Sequence, residues 1–162
     1  MVFMMGQLNN AYKGTGKITI AYKGEKSNDW FTPKALYDSI REEFRITYDP
    51  CPYKDGEKMG LFKDWGKRVF VNPPYSHVEE WFNKAMLELK KGNSDIIIFL
   101  VFARTGTNWF HEYIWDNKNH RFKEHVYQVR FIRGRLKFGE SKNSAPDDSM
   151  IIIFKNNKEA RE

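Results

Sequence analysis

The stretch Arg68-Val69-Phe70-Val71-Asn72-Pro73-Pro74-Tyr75 decides the fold of this 162-residue chain. The run from Arg68 to Val71 is typical of a short strand. The two prolines after Asn72 end it, because each proline fixes φ and lacks a backbone N–H. The strand therefore delivers Asn72 to the edge of a sheet in a rigid turn. Ser76 and Glu79 then match a capping box and predict a helix over about residues 77–90.

This rigid turn has a chemical use. The Asn72 carboxamide oxygen and the Pro73 carbonyl are two acceptors held at a fixed separation, and a planar exocyclic NH2 group suits such a pair. Two accepted hydrogen bonds direct the amino lone pair out of conjugation and toward an electrophile, while Tyr75 offers an aromatic face to the ring. The pattern indicates a site that alkylates an amino group. The alternative is a tight loop only, since Asn and Pro are common turn residues.

Composition limits the class of protein. Hydrophobic residues make up 41% of the chain and aromatic residues 16%, which excludes a disordered chain and favours one domain. The longest apolar run, Ile96 to Ala103, is much shorter than the ~20 residues of a membrane span, so we expect no membrane contact. The apolar N-terminus lacks the basic region of a signal peptide. The single cysteine, Cys51, permits no internal disulfide, which fits the cytoplasm.

The charge is unevenly distributed. The formal net charge is +6 and the pI about 9.3, a modest excess that a generic soluble surface would explain. Between residues 121 and 142, however, only Glu124 and Glu140 are acidic, against the basic residues Arg121, Lys123, Arg130, Arg133, Arg135, Lys137 and Lys142. We interpret this stretch as a candidate phosphate-contacting face.

The beginning of the chain is rich in glycine and lysine. Residues 1–27 predict a flexible basic N-terminal segment, with one strand over Lys17 to Tyr22 that packs on the body or on a second subunit; an arm that contacts DNA is the other interpretation. Thr32 as N-cap and Pro33 at the first helical position predict a helix over about residues 33–43. Trp30 and Phe31 are either a hydrophobic lead-in or the wall of a ligand pocket.

Two acidic residues stand beside candidate ligand positions. Residues 44–49 predict a strand ending in Asp49, and an acid at the carboxyl end of a sheet strand lies where α/β proteins bind ligands; the alternative is that Asp49 caps the turn at Pro50. Cys51 has no His nearby in the sequence and is interpreted as a small buried thiol. Asp64 beside Trp65 indicates either a surface turn or a pair that holds an adenine.

The second half of the chain alternates strands and helices. The unbroken apolar run over residues 96–102 predicts a central parallel strand, and Thr107 caps a helix in which His111 is a surface or packed residue. Two antiparallel strands follow, over about 126–132 and 150–154, with a turn at Arg133-Gly134, a second run over 135–138 and a polar loop between them. We predict an α/β sheet, mostly parallel with an antiparallel edge hairpin, in one domain over residues 28–156, and a charged tail over 157–162.

These motifs, in this order, resemble the phage-borne DNA N-6-adenine methyltransferase (Dam) family over about residues 28–154. The Asn72 motif alone is shared with methyltransferases of glutamine side chains and of ribosomal RNA, whereas the whole set is more specific. The set is Thr32-Pro33, Asp49-Pro50-Cys51, Asp64-Trp65, Asn72-Pro73-Pro74-Tyr75, Thr107-Asn108-Trp109-Phe110 and Gly134-Arg135-Leu136-Lys137-Phe138.

The resemblance implies an S-adenosylmethionine-dependent enzyme with a Rossmann-like sheet. Its substrate would be the exocyclic N6 of adenine, flipped out of double-stranded DNA, and its setting the cytoplasm of a cell that carries the phage or prophage. The implied catalytic residues are Asn72, Pro73, Pro74 and Tyr75. The implied cofactor-binding residues are Trp30, Phe31, Thr32, Pro33, Asp49, Pro50, Cys51, Asp64 and Trp65. The implied DNA-binding residues are Arg104, Arg130, Arg133, Arg135 and Lys137.

The chain departs from the wider methyltransferase pattern. No Gly-x-Gly loop follows the first strand, and only fifteen positions separate Asp49 from Asp64, so we expect an abbreviated sheet with Glu57 as the candidate ribose-binding acid. Without a separate recognition domain, specificity would come from residues 130–142, the loop after Tyr75 or a second subunit, which leaves monomer and homodimer open. The alternatives are an amino-group methyltransferase acting on RNA or protein glutamine, and a DNA-binding module that has lost its cofactor site.

Overall fold

The computed structural model describes residues 32–52, 59–137 and 144–156. Trp30, Phe31, Glu57, Phe138, Lys142 and the strand expected at Lys17 to Tyr22 lie outside these residues. In chain order, the elements are helix α1 (Lys34–Phe44), helix α2 (Met59–Phe62), strand β1 (Arg68–Val71), a 3-10 turn (Tyr75–His77), helix α3 (Val78–Lys91), strand β2 (Ile96–Phe102), helix α4 (Asn108–Tyr113), and strands β3 (Trp115–Asp116), β4 (Arg121–Phe122), β5 (Val126–Phe131) and β6 (Ser149–Lys155).

The main sheet has the strand order β1-β2-β6-β5. Strands β1 and β2 are parallel, whereas β6 is antiparallel to both of its neighbours, β2 and β5. Three strands, β1, β2 and β5, therefore run in one direction, and we call the edge of the sheet where these three end the carboxyl edge and the opposite one the amino edge. The predicted antiparallel pair is confirmed. The sheet is nevertheless mixed rather than mostly parallel, because β6 pairs along the whole of β2.

The sheet is covered on both faces. Helix α1 packs one face through Leu36, Ile40 and Phe44, and helices α3 and α4 pack the other through a larger aromatic cluster. All seven residues of β2 are buried, since side chains alternate between two apolar layers. The apolar run over residues 96–102 thus forms the predicted central strand. Among the described residues, no helix is both long and apolar enough to span a membrane.

One predicted strand is reduced, and the run over residues 135–138 is described in part. The expected strand over residues 44–49 is a single parallel bridge between Tyr48 and Val69, on the outer side of β1. Arg45 takes a left-handed conformation, with φ of 52°, to end α1, which leaves few residues in which to pair before Pro50. The run expected at residues 135–138 forms no strand over its described part. Leu136 is instead fully buried, and its carbonyl accepts a hydrogen bond from Ala145 N–H at 2.8 Å.

Helix starts differ from the predicted caps. The N-cap of α1 is Pro33, without a side-chain cap, so Thr32 does not cap the helix. The capping box at Ser76 and Glu79 is also wrong: the 3-10 turn comes first, and α3 begins at Val78 after His77. Pro74 explains the difference, because its carbonyl accepts from His77 N–H at 3.2 Å and closes a tight turn before the helix. The α3 helix ends at Gly92 as predicted.

Candidate functional site

The carboxyl edge gathers the residues of the Asn72 turn and their neighbours. Asn72 follows β1 directly, Asp49 follows the bridge between Tyr48 and Val69, and the chain after Phe102 leaves β2 at the same edge. Thr32 joins them because α1 begins at this edge and runs back along the sheet toward Arg68, whose guanidinium donates to the Phe44 carbonyl at 3.1 Å. Ligand sites of α/β proteins lie at this edge.

Asn72 is held in a defined orientation. Its side-chain Nδ2 donates a hydrogen bond to Thr32 Oγ1 at 3.1 Å. Since the carboxamide has one donor end and one acceptor end, this contact turns Oδ1 away from Thr32. Pro73 behind it is buried, and its ring keeps the backbone rigid. The hydroxyl of Thr32 therefore sets which way the Asn72 acceptor points.

Asp49 combines two roles. Its Oδ1 accepts the backbone N–H of Cys51 at 2.9 Å, so the alternative that Asp49 caps the turn at Pro50 is confirmed. Burial raises the pKa of Asp49 to about 6, and the hydrogen bond from Cys51 offsets only part of that rise. A cation placed beside a half-buried carboxyl group with a raised pKa stabilises its ionised form, and such groups are common at ligand sites. Cys51 is half-buried, forms no disulfide and packs against the core.

Helix α2 packs against the turn that follows Asp49, and Trp65 holds α2 there. A Cβ at Gly60 would lie 1.9 Å from the Pro50 carbonyl oxygen, so only glycine allows α2 to approach this turn so closely. Trp65 fixes α2 in place, because its indole Nε1 donates to the Gly60 carbonyl at 2.8 Å. The Trp65 ring is 3% exposed and stacks on Trp81, with centroids 6.2 Å apart. Trp65 therefore acts on the Asp49 turn indirectly, by holding α2 against it.

Asp64 lies at the other end of the sheet from Asn72. It precedes β1 by four positions, and its Oδ1 accepts a hydrogen bond from Asn93, just after α3, at 3.3 Å. Since β1 rises about 3.3 Å per residue, roughly 13 Å of strand separate the two ends. The structure does not bring Asp64 to the Asn72 turn, and Trp65 is buried against protein. These contacts favour a structural part for both residues over the predicted hold on adenine.

Tyr75 stacks on the last residue of β2. The rings of Tyr75 and Phe102 are 3.8 Å apart and nearly parallel, at 5°. The Tyr75 hydroxyl is buried and has no hydrogen-bond partner among the described residues. Burial holds the pKa of Tyr75 well above its usual value, and the charge of Arg104 offsets only part of that effect. The phenol is thus neutral, and it is an unused donor at the edge of the site.

Arg104 is the predicted DNA-binding residue nearest to this stack. Its guanidinium lies 5.2 Å from the centroid of Phe102 and pairs with Asp147, with Nη2 to Oδ2 at 2.5 Å. The Thr107 hydroxyl donates to the Arg104 carbonyl at 2.8 Å and holds the turn after β2. About half of the Arg104 side chain stays exposed. This cation therefore faces solvent beside the Tyr75 ring.

The other predicted DNA contacts divide into two groups. Arg133, Arg135 and Lys137 are exposed after β5, at the carboxyl edge. Arg130, in contrast, is 11% exposed and forms two hydrogen bonds with the Glu43 carboxylate, at 2.6 and 2.7 Å. Its guanidinium also lies 5.1 Å from the Phe44 ring. Arg130 fixes β5 to α1, and these contacts do not favour a role in phosphate binding.

Some residues at the carboxyl edge were not found from the sequence. Phe102 closes a fully apolar strand, where nothing distinguishes it from a core residue until the fold puts Tyr75 on it. Asp147 follows a polar loop, and its pairing with Arg104 joins residues 43 positions apart. For Phe131, an exposed aromatic residue that ends edge strand β5, a signal was present: an aromatic residue between Arg130 and Arg133.

Residues 21–162 match the family described as DNA N-6-adenine-methyltransferase (Dam). The chain belongs to this family. The predicted resemblance is therefore confirmed, and the family is one of DNA methyltransferases that act on N6 of adenine. No curated protein and no solved structure matches the chain significantly.

Proposed function

We propose that this Dam-family protein transfers a methyl group from S-adenosylmethionine to N6 of an adenine flipped out of double-stranded DNA. The observation that carries the proposal is the Asn72 turn, rigid, placed at the carboxyl edge and oriented by Thr32. The crossover from β1 through α3 to the parallel strand β2 supports an abbreviated Rossmann-like sheet as its frame.

The residues around Asp49 suit the cofactor. S-adenosylmethionine would supply an electrophilic methyl group on a sulfonium centre, together with a methionine ammonium group. Burial makes the carboxyl group of Asp49 costly to ionise, and a nearby cation offsets that cost. Asp49 would therefore bind the ammonium group of the cofactor. Thr32, Pro33, Pro50 and Cys51 are the other described residues of the proposed cofactor site. Trp30 and Phe31 stay in the proposal on the family resemblance, whereas Asp64 and Trp65 are left out for the contacts described above.

Asn72 and Pro73 position the amino group. Asn72 Oδ1 and the Pro73 carbonyl accept the two N–H groups of N6, which directs the nitrogen lone pair toward the methyl carbon. The N–C bond forms as the C–S bond breaks with its electron pair on sulfur, and the product nitrogen then loses a proton to water. The Tyr75 phenol, whose pKa is raised by burial, is not the base. Most of the rate comes from positioning the two reactants.

DNA is bound along the carboxyl edge. Arg104, Arg133, Arg135 and Lys137 lie there and neutralise phosphates, which supplies affinity without sequence information. An adenine inside the duplex does not reach Asn72, so the base is extruded, and the stacking that it loses is replaced against Tyr75.

The proposal is tested by following labelled methyl from S-adenosylmethionine into unmethylated duplex DNA, with the product digested to nucleosides. We expect label in N6-methyladenosine from the wild type and none from Asn72→Ala, with cofactor binding in calorimetry equal for both. A control variant, Asn83→Ala, removes an exposed amide on α3 that bonds Tyr113 and keeps activity. Label at wild-type rate from Asn72→Ala would contradict the role of Asn72.

The remaining outcomes separate the alternatives. Cofactor binding without label on duplex DNA would favour an RNA or protein glutamine substrate, which competition by duplex DNA then checks. Neither binding nor label would favour a DNA-binding module without catalysis.

A further inference from the structure

Phe131 is a solvent-exposed aromatic residue. It is the last residue of edge strand β5 and is 67% exposed. Val129, two positions earlier on the same face, packs against the aromatic core cluster. Phe131 lies beyond that cluster, so its benzyl group projects past the covered part of the sheet.

The position of Phe131 relates it to the proposed active site. Strand β5 runs in the same direction as β1 and β2, so Phe131 ends at the carboxyl edge. It pairs with Met150, which pairs with Val101, one residue before Phe102 and its stacked partner Tyr75. Three strand spacings, about 14 Å, separate β5 from β1, which is comparable with the ~12 Å width of the DNA major groove.

The charges of the segment that carries Phe131, residues 126–137, indicate the chemistry of its partner. Residues 126–137 contain no acidic residue, and the exposed cations Arg133, Arg135 and Lys137 follow the ring directly. Gly134, with φ of 80°, turns the chain between Arg133 and Arg135. An exposed aromatic ring among cations fits a partner that is both polyanionic and rich in π faces, and nucleic acid combines these properties.

We propose that Phe131 inserts into the base stack of duplex DNA next to the target adenine and fills the space that the flipped base leaves. This proposal rests on the proposed function and adds a positioning residue to it. The cations that follow Phe131 hold the phosphate backbone, Asn72 and Tyr75 receive the extruded base, and Phe131 replaces the stacking that the neighbouring base pairs lose. The DNA thus contacts the carboxyl edge at two positions, Phe131 and the Asn72 turn.

The test compares the wild type with Phe131→Ala, Phe131→Trp and Tyr127→Ala. Tyr127 is the matched control, because it is an exposed aromatic residue of the same strand, toward its amino end. Each protein is assayed on a duplex bearing a site that the wild type methylates, and on the same duplex with an abasic position opposite the target adenine. The unpaired target is easier to extrude. Thermal unfolding and cofactor calorimetry accompany each variant.

We expect kcat/KM of Phe131→Ala on the paired duplex to fall about tenfold or more, as loss of one stacking contact predicts. The loss should be much smaller on the abasic duplex, and Phe131→Trp and Tyr127→Ala should retain activity on both. Equal losses on the two duplexes, or no loss on the paired duplex, would overturn the proposal while leaving the proposed function intact. A wild type that binds the cofactor but does not methylate DNA would instead overturn the proposed function, and this proposal with it.

Discussion

Asn72 Nδ2 donates a hydrogen bond to Thr32 Oγ1 at 3.1 Å, across 40 residues of sequence. This contact joins the residue that precedes the N-cap of α1 to the residue that follows β1, and therefore the proposed cofactor-binding segment to the proposed amino-binding turn. It also orients the Asn72 carboxamide, so that Oδ1 is directed away from Thr32.

Thr32→Val tests this orientation. Valine keeps the shape of threonine but removes the acceptor for Nδ2, so the Asn72 carboxamide loses its fixed direction. We expect kcat to fall about tenfold, the scale of losing one positioning hydrogen bond, and the effect on kcat to be larger than that on the cofactor Kd. Thr32→Ser keeps the hydroxyl and should restore kcat. A Thr32→Val enzyme with wild-type kcat would show that Asn72 is oriented by other contacts.

Asp49 gives cofactor binding a predicted pH dependence. Its pKa is raised to about 6, chiefly by burial, so the carboxylate becomes neutral as pH falls through that value. We expect the S-adenosylmethionine Kd, measured by calorimetry, to increase as pH falls from about 7 to about 5. Asp49→Asn should bind weakly at all pH values, without this dependence. Asp95→Asn, which removes an acid paired with Lys67 at the amino edge, is the control and should behave as the wild type.

The same pKa has the opposite effect on the free protein. A carboxyl group whose pKa is higher folded than unfolded destabilises the native state as pH rises from about 4 to about 6. Without cofactor, Asp49→Asn should therefore melt at or above the wild-type temperature at neutral pH. A lower melting temperature would mean that the turn hydrogen bond to Cys51 outweighs the cost of burying the charge.

Elements with long or strongly apolar patterns could be predicted from the sequence. Helix α1, strand β2, and the pair β5 and β6 were found because their periodicity extends over several residues. The strand expected at residues 44–49 was not found in that form, because its extent depends on the left-handed Arg45 and on Pro50 at either end. The insertion of β6 between β2 and β5 also could not be predicted, since pairing order leaves no signature within an apolar strand.

The candidate site divides in a similar way. Asn72 and Asp49 were predicted because motif and strand end coincide at each, and Thr32 because the Thr-Pro pair marks the start of a helix. Arg130 has the same local pattern as Arg133, and only the tertiary contact with Glu43 separates a buried ion pair from an exposed cation. Asp64 and Trp65 were placed beside a ligand by resemblance, while the fold puts them at the amino edge and in the core.

Two substitutions at Tyr75 distinguish the role of its ring in stacking from the role of its hydroxyl in hydrogen bonding. Its hydroxyl is buried without a partner among the described residues, and such a group costs about 1–3 kcal/mol. Tyr75→Phe should therefore keep or raise the melting temperature and retain most methyl transfer, because the ring still stacks on Phe102. Tyr75→Ala should lose activity by about tenfold or more. If Tyr75→Phe loses as much as Tyr75→Ala, the hydroxyl itself binds the substrate.

Arg133 and Lys137 should contribute to DNA affinity through phosphates. Replacing either with Gln is expected to weaken binding equally for all sequences and to reduce the salt slope by about one. Titrations at several salt concentrations measure this slope. Arg130→Gln is the comparison: it breaks the pair with Glu43 and should lower the melting temperature while leaving the salt slope unchanged. A reduced slope for folded Arg130→Gln would restore Arg130 to the DNA contacts.

Glu88 is a buried carboxylate remote from the carboxyl edge, and it fixes the start of β1 to α3. It is 0% exposed and accepts hydrogen bonds from Trp65 N–H and Lys84 Nζ, at 2.8 and 2.7 Å, and from Asn93 Nδ2 at 3.1 Å. Glu88→Ala leaves these donors unpaired and should cost about 3 kcal/mol, or about 10 °C in melting temperature for a domain of this size. Glu79→Ala, at an exposed position of the same helix, is the control and should change little.

The charge of Glu88 also predicts how stability depends on pH. Burial acts to raise the pKa of Glu88, but the hydrogen bonds from Lys84, Trp65 and Asn93 outweigh it and hold the pKa below its usual value. A carboxyl group with a lowered folded pKa contributes stability that is fully present above the unfolded pKa, about 4.3, and is lost as pH falls below it. Urea unfolding followed by circular dichroism should show wild type losing more stability than Glu88→Gln on acidification from about pH 5 to about pH 3. Equal losses would place the acid sensitivity of the fold in other carboxylates, since Glu88 would then bind protons equally in the folded and unfolded states.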